Sequence, residues 1–532
     1  MPMLSKITCT ALAAAIITLS LPGCKPETRP NHNGEVIYHV CQRSFYDSNG
    51  DLNGDLNGLR QKLDYLQDLG VTSILLLPLY ESVYHHNYFA SDFKKIDPEF
   101  GTTVDYLNLV KDIHNRGMKI YMDMETQYVT QEHIWYKDSY KNPKSKYSDY
   151  ILYDDSAQTK PSSIVFELHS LKGYDGVEHK ITTVNLRSKK VLEYNYELFK
   201  YFADPNNDGR FDDGVDGFRL DHAMDTLDLK PRLAGLFNAF WSPLLNRLKQ
   251  VNPKLTFVAE QANWASYGID YLTDANVDRV FDFRLAFAIR NFKRDEIMAM
   301  ADSSFSFTPA GKQQVVFIEN HDMPRFAQVV KKDIAKEKVG AALNMLIGGI
   351  PSIYYGQEIG MANGDKPDNV YGPNDANGIP LREAFEWYKG ETGKGMAVWY
   401  KNTGPWWTDR NMKPNDGISY EEQKDDKASL WNFYKTLIAL RKNNEAIGSG
   451  SYQTLKNNNL QVVSFLRYSG QKAVIVLVNL SAQKQEAIVD IADSKAAITG
   501  LKSLLGKAKA SVNGNKIPAV LPPYGVQVLA AD

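Results

Sequence analysis

Eight short apolar runs succeed one another over residues 36–354: 36–38, 73–77, 119–123, 217–221, 257–260, 279–281, 315–318 and 352–354. Segments of helical period lie between them, among them 59–69, stopped by Gly70, and 106–115, stopped by Gly117. Short continuous apolar runs alternating with helices are the pattern of parallel strands covered on both faces. Eight of them predict a (β/α)8 TIM barrel. Three runs lead to a carboxylate: Asp216-Gly217-Phe218-Arg219-Leu220-Asp221, Phe257-Val258-Ala259-Glu260 and Phe317-Ile318-Glu319-Asn320-His321-Asp322. In a parallel barrel the C-terminal ends of the strands share one mouth, so these three carboxylates converge.

At 532 residues the chain exceeds what one barrel needs, and the surplus can be placed. More residues separate the third run from the fourth than one helix and two loops require, so an inserted lobe is expected over 129–187, ahead of a helix at 188–202. The barrel then takes 34–128 and 188–443. After a helical segment at 430–441 the pattern changes to alternating strands such as 462–468, 473–479 and 526–529, which predicts an antiparallel β domain over 444–532. At the N-terminus, Lys6, an apolar stretch over 7–21 and Leu21-Pro22-Gly23-Cys24 predict an export signal over 1–23 and a polar tether over 24–33. The net charge of -2, with both signs interspersed, offers no basic stripe for nucleic acid and favours an uncharged or small partner.

Converging carboxylates suit glycoside hydrolysis: one attacks the anomeric carbon, a protonated one serves the leaving oxygen, and an oxocarbenium-like transition state needs negative charge nearby. The three segments, in this order, resemble the α-amylase family of retaining glycoside hydrolases, as do Val36-Ile37-Tyr38 leading to Arg43-Ser44-Phe45-Tyr46-Asp47 and the run Gly349-Ile350-Pro351-Ser352-Ile353-Tyr354-Tyr355-Gly356-Gln357-Glu358. The resemblance implies Asp221 as nucleophile, Glu260 as acid/base and Asp322 as transition-state stabiliser. It places His86, Tyr88, Phe89, Asp123, Tyr128, Arg219 and His321 around the sugar. It also implies that the inserted lobe flanks the cleft and that the C-terminal domain is a β-sandwich. Leu21-Pro22-Gly23-Cys24 resembles a bacterial lipoprotein signal, which implies lipid on Cys24 and attachment to a membrane on the periplasmic or outer face; an ordinary signal peptide is the alternative. With Cys9 removed and Cys24 lipidated, Cys41 is left without a disulfide partner.

Two loops have the spacing of a hard-cation site. Asp47, Asn49, Asp51, Asn53 and Asp55 alternate with other residues, and the resemblance implies structural calcium here, with Asn53 contributing its backbone carbonyl. Asp204, Asn206, Asp208, Arg210 and Asp212 form a second candidate that opens like a calcium loop but has no closing Glu. Solvated Asx-rich turns are the plain alternative for both. The segment Met122-Asp123-Met124-Glu125-Thr126-Gln127-Tyr128 departs from the family, which has Asn and His where Gln127 and Tyr128 stand. Phe89 replaces the Asp found in exo-acting glucosidases, which favours an open cleft and endo-acting hydrolysis of α-1,4-glucans such as starch. Trp264, Tyr355, Trp387, Trp406 and Trp407 are candidate sugar platforms. A transglycosylase needs the same residues, and a glycan-binding lipoprotein with impaired catalysis is the further alternative that Gln127 and Tyr128 suggest.

Overall fold

The computed structural model describes residues 34–173, 176–363, 374–390, 392–401, 411–507 and 510–531. The expected signal and tether, Cys24, Trp406 and Trp407 lie outside these residues. Eight parallel strands close a barrel: β1 (Ile37–Val40), β2 (Ser73–Leu76), β3 (Lys119–Met124), β4 (Gly217–Leu220), β5 (Thr256–Ala259), β6 (Arg279–Phe281), β7 (Gln313–Val316) and β8 (Ile350–Tyr354). Each strand pairs with its neighbours in chain order and β8 returns to β1. The register sets Asp123 of β3 opposite Arg219 of β4. Gly217 opens β4 because a Cβ there would meet the Thr256 carbonyl oxygen at 2.1 Å, so only glycine lets β4 and β5 approach this closely.

The helix expected over 59–69 is two pieces, Leu56–Gln61 and Leu63–Leu69, and Gly70 ends the second at φ 97°. At the barrel floor Arg279 holds the buried Glu35 at 2.7 Å, and Ser73 and Tyr121 also donate to that carboxylate. The guanidinium outweighs the cost of burial and keeps Glu35 well below the usual carboxylate range.

The inserted lobe carries a five-stranded sheet that is broader than the spacing between β3 and β4 suggests. Its strands Tyr128–Thr130, Ser170–Lys172 and Glu178–Thr183 belong to the insertion, but Tyr80–Ser82 and Ala90–Ile96 come from the connection after β2. That connection also carries Tyr88 and Phe89, so the wall of the mouth is shared by two loops.

The C-terminal domain has a five-stranded antiparallel sheet ordered Ser451–Thr454, Val462–Ser469, Lys472–Asn479, Val526–Ala531 and Leu501–Leu505, faced by the pair Gln485–Asp490 and Lys516–Leu521. Alternation explains the layering. Val463, Phe465, Val474 and Val476 join the barrel core, while Leu466, Ile475 and Leu477 meet Val489, Ile517 and Leu521 in a core of their own.

Candidate active site

The mouth of the barrel is organised by one guanidinium. Arg219, 1 % exposed, reaches Asp123 Oδ2 at 2.6 Å and Asp221 Oδ1 at 2.5 Å through Nη1, and Glu260 Oε2 at 2.8 Å through Nη2. Asp123 lies within β3, while Asp221 and Glu260 each follow directly on the last residue of β4 or β5. Asp322 arrives from the loop after β7, where His321 Nε2 contacts it at 2.8 Å and Arg382 Nη2 donates to it at 3.0 Å. The side chains of Asp221, Glu260 and Asp322 are 15 %, 9 % and 35 % exposed and that of Asp123 is sealed, so the first three are the carboxylates that can meet a ligand.

Environment separates these carboxyls. Burial pushes Glu260 well above the usual range, and the charges of Asp221 and Asp322 add to that push against Arg219. For Asp221 burial acts the same way, but Arg219 prevails and holds the group below its ordinary value. Asp322 is kept well below the usual range against burial, by its contact with His321 and by Arg382. Burial holds His321 itself toward the neutral form. The site therefore offers carboxylates in opposite states.

Tyr88 donates to Asp123 Oδ2 at 2.7 Å, and its ring lies parallel to His321 with centroids 5.2 Å apart. His86 stacks on Tyr84 and its Nε2 is 3.3 Å from Asp375. Phe89 meets Tyr128 edge to face at 5.9 Å on the wall of the mouth. The Tyr128 hydroxyl donates to Asp228 at 2.7 Å, so it is already engaged within the loop after β4. Gln127 donates from Nε2 to the Asp221 backbone oxygen at 2.5 Å. Of the expected platforms, Tyr355 and Trp387 are buried, with Trp387 Nε1 donating to Phe45 O at 2.6 Å; they are core residues. Trp264 stacks on Phe283 at 4.7 Å and is only half-buried.

Three residues of the site carried no motif. Arg382 connects Asp322 to His85 at 3.1 Å, and Asp375 holds His85 Nδ1 at 2.6 Å, so two residues beyond β8 tie the loop after β7 to the loop after β2. Glu125, 1 % exposed, stands beside Asp221. The only signal for it in the sequence is a second carboxylate two residues after Asp123 at the strand end.

Neither cation loop gathers three carboxylates: among the described residues, the one group of three acidic, imidazole or thiol ligands within 4.8 Å of one another is Asp123, Asp221 and His321, already bound to Arg219 and Tyr88. In the first loop, Asp47 accepts backbone N–H groups of Asn49, Gly50 and Leu52, and Asp51 accepts that of Asn53. Asn49 accepts from Asp51 N, and the Asn53 side chain accepts from Arg43. Asp55 caps the helix Leu56–Gln61 through Gly58 N, and after burial the charge of Asp47 is among the influences that raise its pKa. An all-oxygen loop whose carboxylates repel one another fits a hard cation in donor chemistry. In the second loop Asp212 is exposed and turned to Arg210, which also pairs with Asp208 at 2.7 Å, while the charge of Asp204 acts on Asp213.

Comparison with known proteins places this geometry. A family model described as "Alpha amylase, catalytic domain" matches residues 39–450, and one described as "Maltogenic Amylase, C-terminal domain" matches 452–528. The chain belongs to the α-amylase family. As a member it is a glycoside hydrolase, similar to α-amylase 3 of Dictyoglomus thermophilum (27 % identical, covering 85 % of this chain and 86 % of that protein). It is likewise similar to a probable oligo-1,6-glucosidase of Bacillus subtilis (28 %, 84 % and 90 %) and to a trehalose synthase/amylase of Mycobacterium tuberculosis (27 %, 86 % and 83 %). Among solved structures, an α-amylase from H. orenii superposes with a TM-score of 0.76 at 26 % identity, covering 94 % of this chain and all of that one. This α-amylase family barrel carries its acidic cluster at the C-terminal mouth.

Proposed function

We propose that the protein hydrolyses α-1,4-glucans such as starch and maltodextrins from within the chain, by double displacement with retention. The observation that carries the chemistry is that Asp221 and Glu260 share a single guanidinium while their surroundings set them apart, Asp221 held below its ordinary value and Glu260 pushed well above. Asp221 attacks the anomeric carbon while Glu260 gives its proton to the leaving oxygen. Glu260 then takes a proton from the water that cleaves the glycosyl ester. Asp322, fixed by Arg382 and His321, faces the positive charge that develops on the sugar ring. The half-buried Phe89 at the mouth, and the similarity to a protein named α-amylase, support a glucan of several units.

The test is product analysis on soluble starch, maltoheptaose, pullulan and isomaltose with the wild type and Asp221→Asn. Mixed maltodextrins from starch, made by the wild type alone, are expected. Products longer than maltoheptaose would instead show transfer to sugar, and release of glucose from isomaltose would show α-1,6 cleavage; either would overturn the endo-hydrolytic reading. Turnover by Asp221→Asn at the wild-type rate would remove the nucleophile assignment.

We also infer calcium at the Asp47–Asp55 loop, where it would add structural stability and no catalytic step. Export as a lipoprotein through Cys24 is inferred from residues 1–24 alone, and Cys24→Ala should move the protein from the membrane to the soluble fraction.

A further inference from the structure

We propose that Glu125 is a positioning residue for the nucleophile: it stays in its acid form and donates a hydrogen bond to Asp221. This rests on the assignment of Asp221 above. Glu125 sits one residue past the end of β3 with its backbone pinned on both sides, since Tyr80 donates to its carbonyl at 2.7 Å and its own N–H donates back to the Tyr80 oxygen at 3.1 Å. Its side chain therefore has a fixed direction. Oε1 accepts the Gln127 N–H at 2.5 Å, and Oε2 is buried with no donor aligned to it.

Among the described residues, an ionised carboxylate in that position would have a single backbone donor and no ion-pair partner, a costly arrangement away from water. The titratable groups around it make this worse. Asp221 is the charge that acts most strongly on it, Asp228 acts from the same loop after β4, and the neighbouring phenols of Tyr80 and Tyr128 bring no positive charge. Burial and Asp221 together push its carboxyl well up. A neutral Glu125 has one proton to place, and Asp221 is the acceptor that it meets directly.

The effect on Asp221 follows. Arg219 grips Oδ1 alone, and the Glu260 carboxyl also hydrogen-bonds this side chain. A further donor from Glu125 stabilises the ionised form and limits rotation of the carboxylate, while Gln127 and the bond from Asp221 N to Met124 O at 3.1 Å fix the backbone beneath it. Glu125 keeps its proton throughout, so no atom is transferred through it.

The experiment is the pH dependence of kcat/KM for the wild type, Glu125→Gln and Glu125→Met, with melting temperature as the check on folding. Glutamine retains an N–H donor of similar shape, and methionine fills the space without one. Glu125→Gln should stay within about threefold of the wild type with its acid limb in place, whereas Glu125→Met should move that limb up by about one unit and lose about tenfold at acid pH. Equal losses in both variants, or none in either, would overturn the proposal. If Glu125→Met does not fold, the infrared difference spectrum of wild type minus Glu125→Gln at neutral pH decides: a protonated-carboxyl carbonyl band supports the acid form, and its absence refutes it. Asp221→Asn, assayed alongside, reports separately on the nucleophile, since its full activity would remove that assignment whatever Glu125 does.

Discussion

Removing the Arg219 charge with Arg219→Met should make activity and stability respond to pH in opposite directions. The guanidinium lies 2.6, 2.5 and 2.8 Å from Asp123, Asp221 and Glu260. Unit charges centred about 4 Å apart, at an effective dielectric of about 20, interact by about 4 kcal/mol, or about three pKa units. Asp221, now held below its ordinary value, would then titrate well above its wild-type position. The acid limb of kcat/KM should move up by about two to three units, so activity below that limb should fall by about 100-fold or more and recover as pH rises. Stability runs the other way. In the wild type Asp221 is depressed, so its contribution is present above its unfolded pKa and lost on acidification. In the variant the three carboxyls have folded values raised above the unfolded ones, so the cost is absent at about pH 4 and below and grows as pH rises through the folded values. The gap in melting temperature between wild type and variant should widen from about pH 4 to 8, toward the loss of about 3–5 kcal/mol typical of a broken buried ion pair. Activity at several pH values and scanning fluorimetry in the same buffers check both halves. An optimum that stays in place, or a gap that narrows with pH, would refute the reasoning.

Arg382→Gln should lower kcat by about 10²-fold or more with little change in KM, because Asp322 loses its cation while the sugar-facing rings remain; steady-state kinetics on maltoheptaose measure it. Tyr128→Phe leaves Asp228 with His222 and Lys230 as partners, so a stability loss of about 1 kcal/mol and a modest rate change are expected in denaturant melts and kinetic assays. Chelation with EDTA should lower the melting temperature of the wild type, and Asp47→Ala should abolish the difference between chelated and calcium-supplemented protein.

The barrel was legible because each strand is a short apolar run between helices, yet some ends were displaced. β7 begins at Gln313, two residues before its apolar run, and Phe317 and Ile318 continue beyond it as the loop to Asp322. Polar residues at the floor hide a strand's start, and apolar residues beneath the mouth extend it. The lobe sheet was harder to read. Tyr80–Ser82 pairs with Ala90–Ile96 through register shifts, which break the two-residue alternation that marks a strand. At the site, Asp221, Glu260 and Asp322 stand on recognisable segments. Arg382 and Asp375 act only because the loop beyond β8 folds back over the mouth, and Glu125 matters only because β3 and β4 bring it beside Asp221.

Glu35 and Arg279 lock the chain's entry into the barrel from below. Gly34 packs so closely against the helix Leu430–Asn443 that a Cβ there would meet the Lys442 Cα at 2.9 Å, and Glu35 is already sealed beneath the strands. The polypeptide thus joins the catalytic domain at the pole opposite the acidic mouth, with no slack between junction and barrel. A surface that holds the chain at Gly34 would have the closed pole turned toward it and the mouth turned outward. A long glucan could then approach and leave from the open side without threading between enzyme and support, and immobilisation through the N-terminus should preserve access to polymer better than immobilisation through lysines near the mouth.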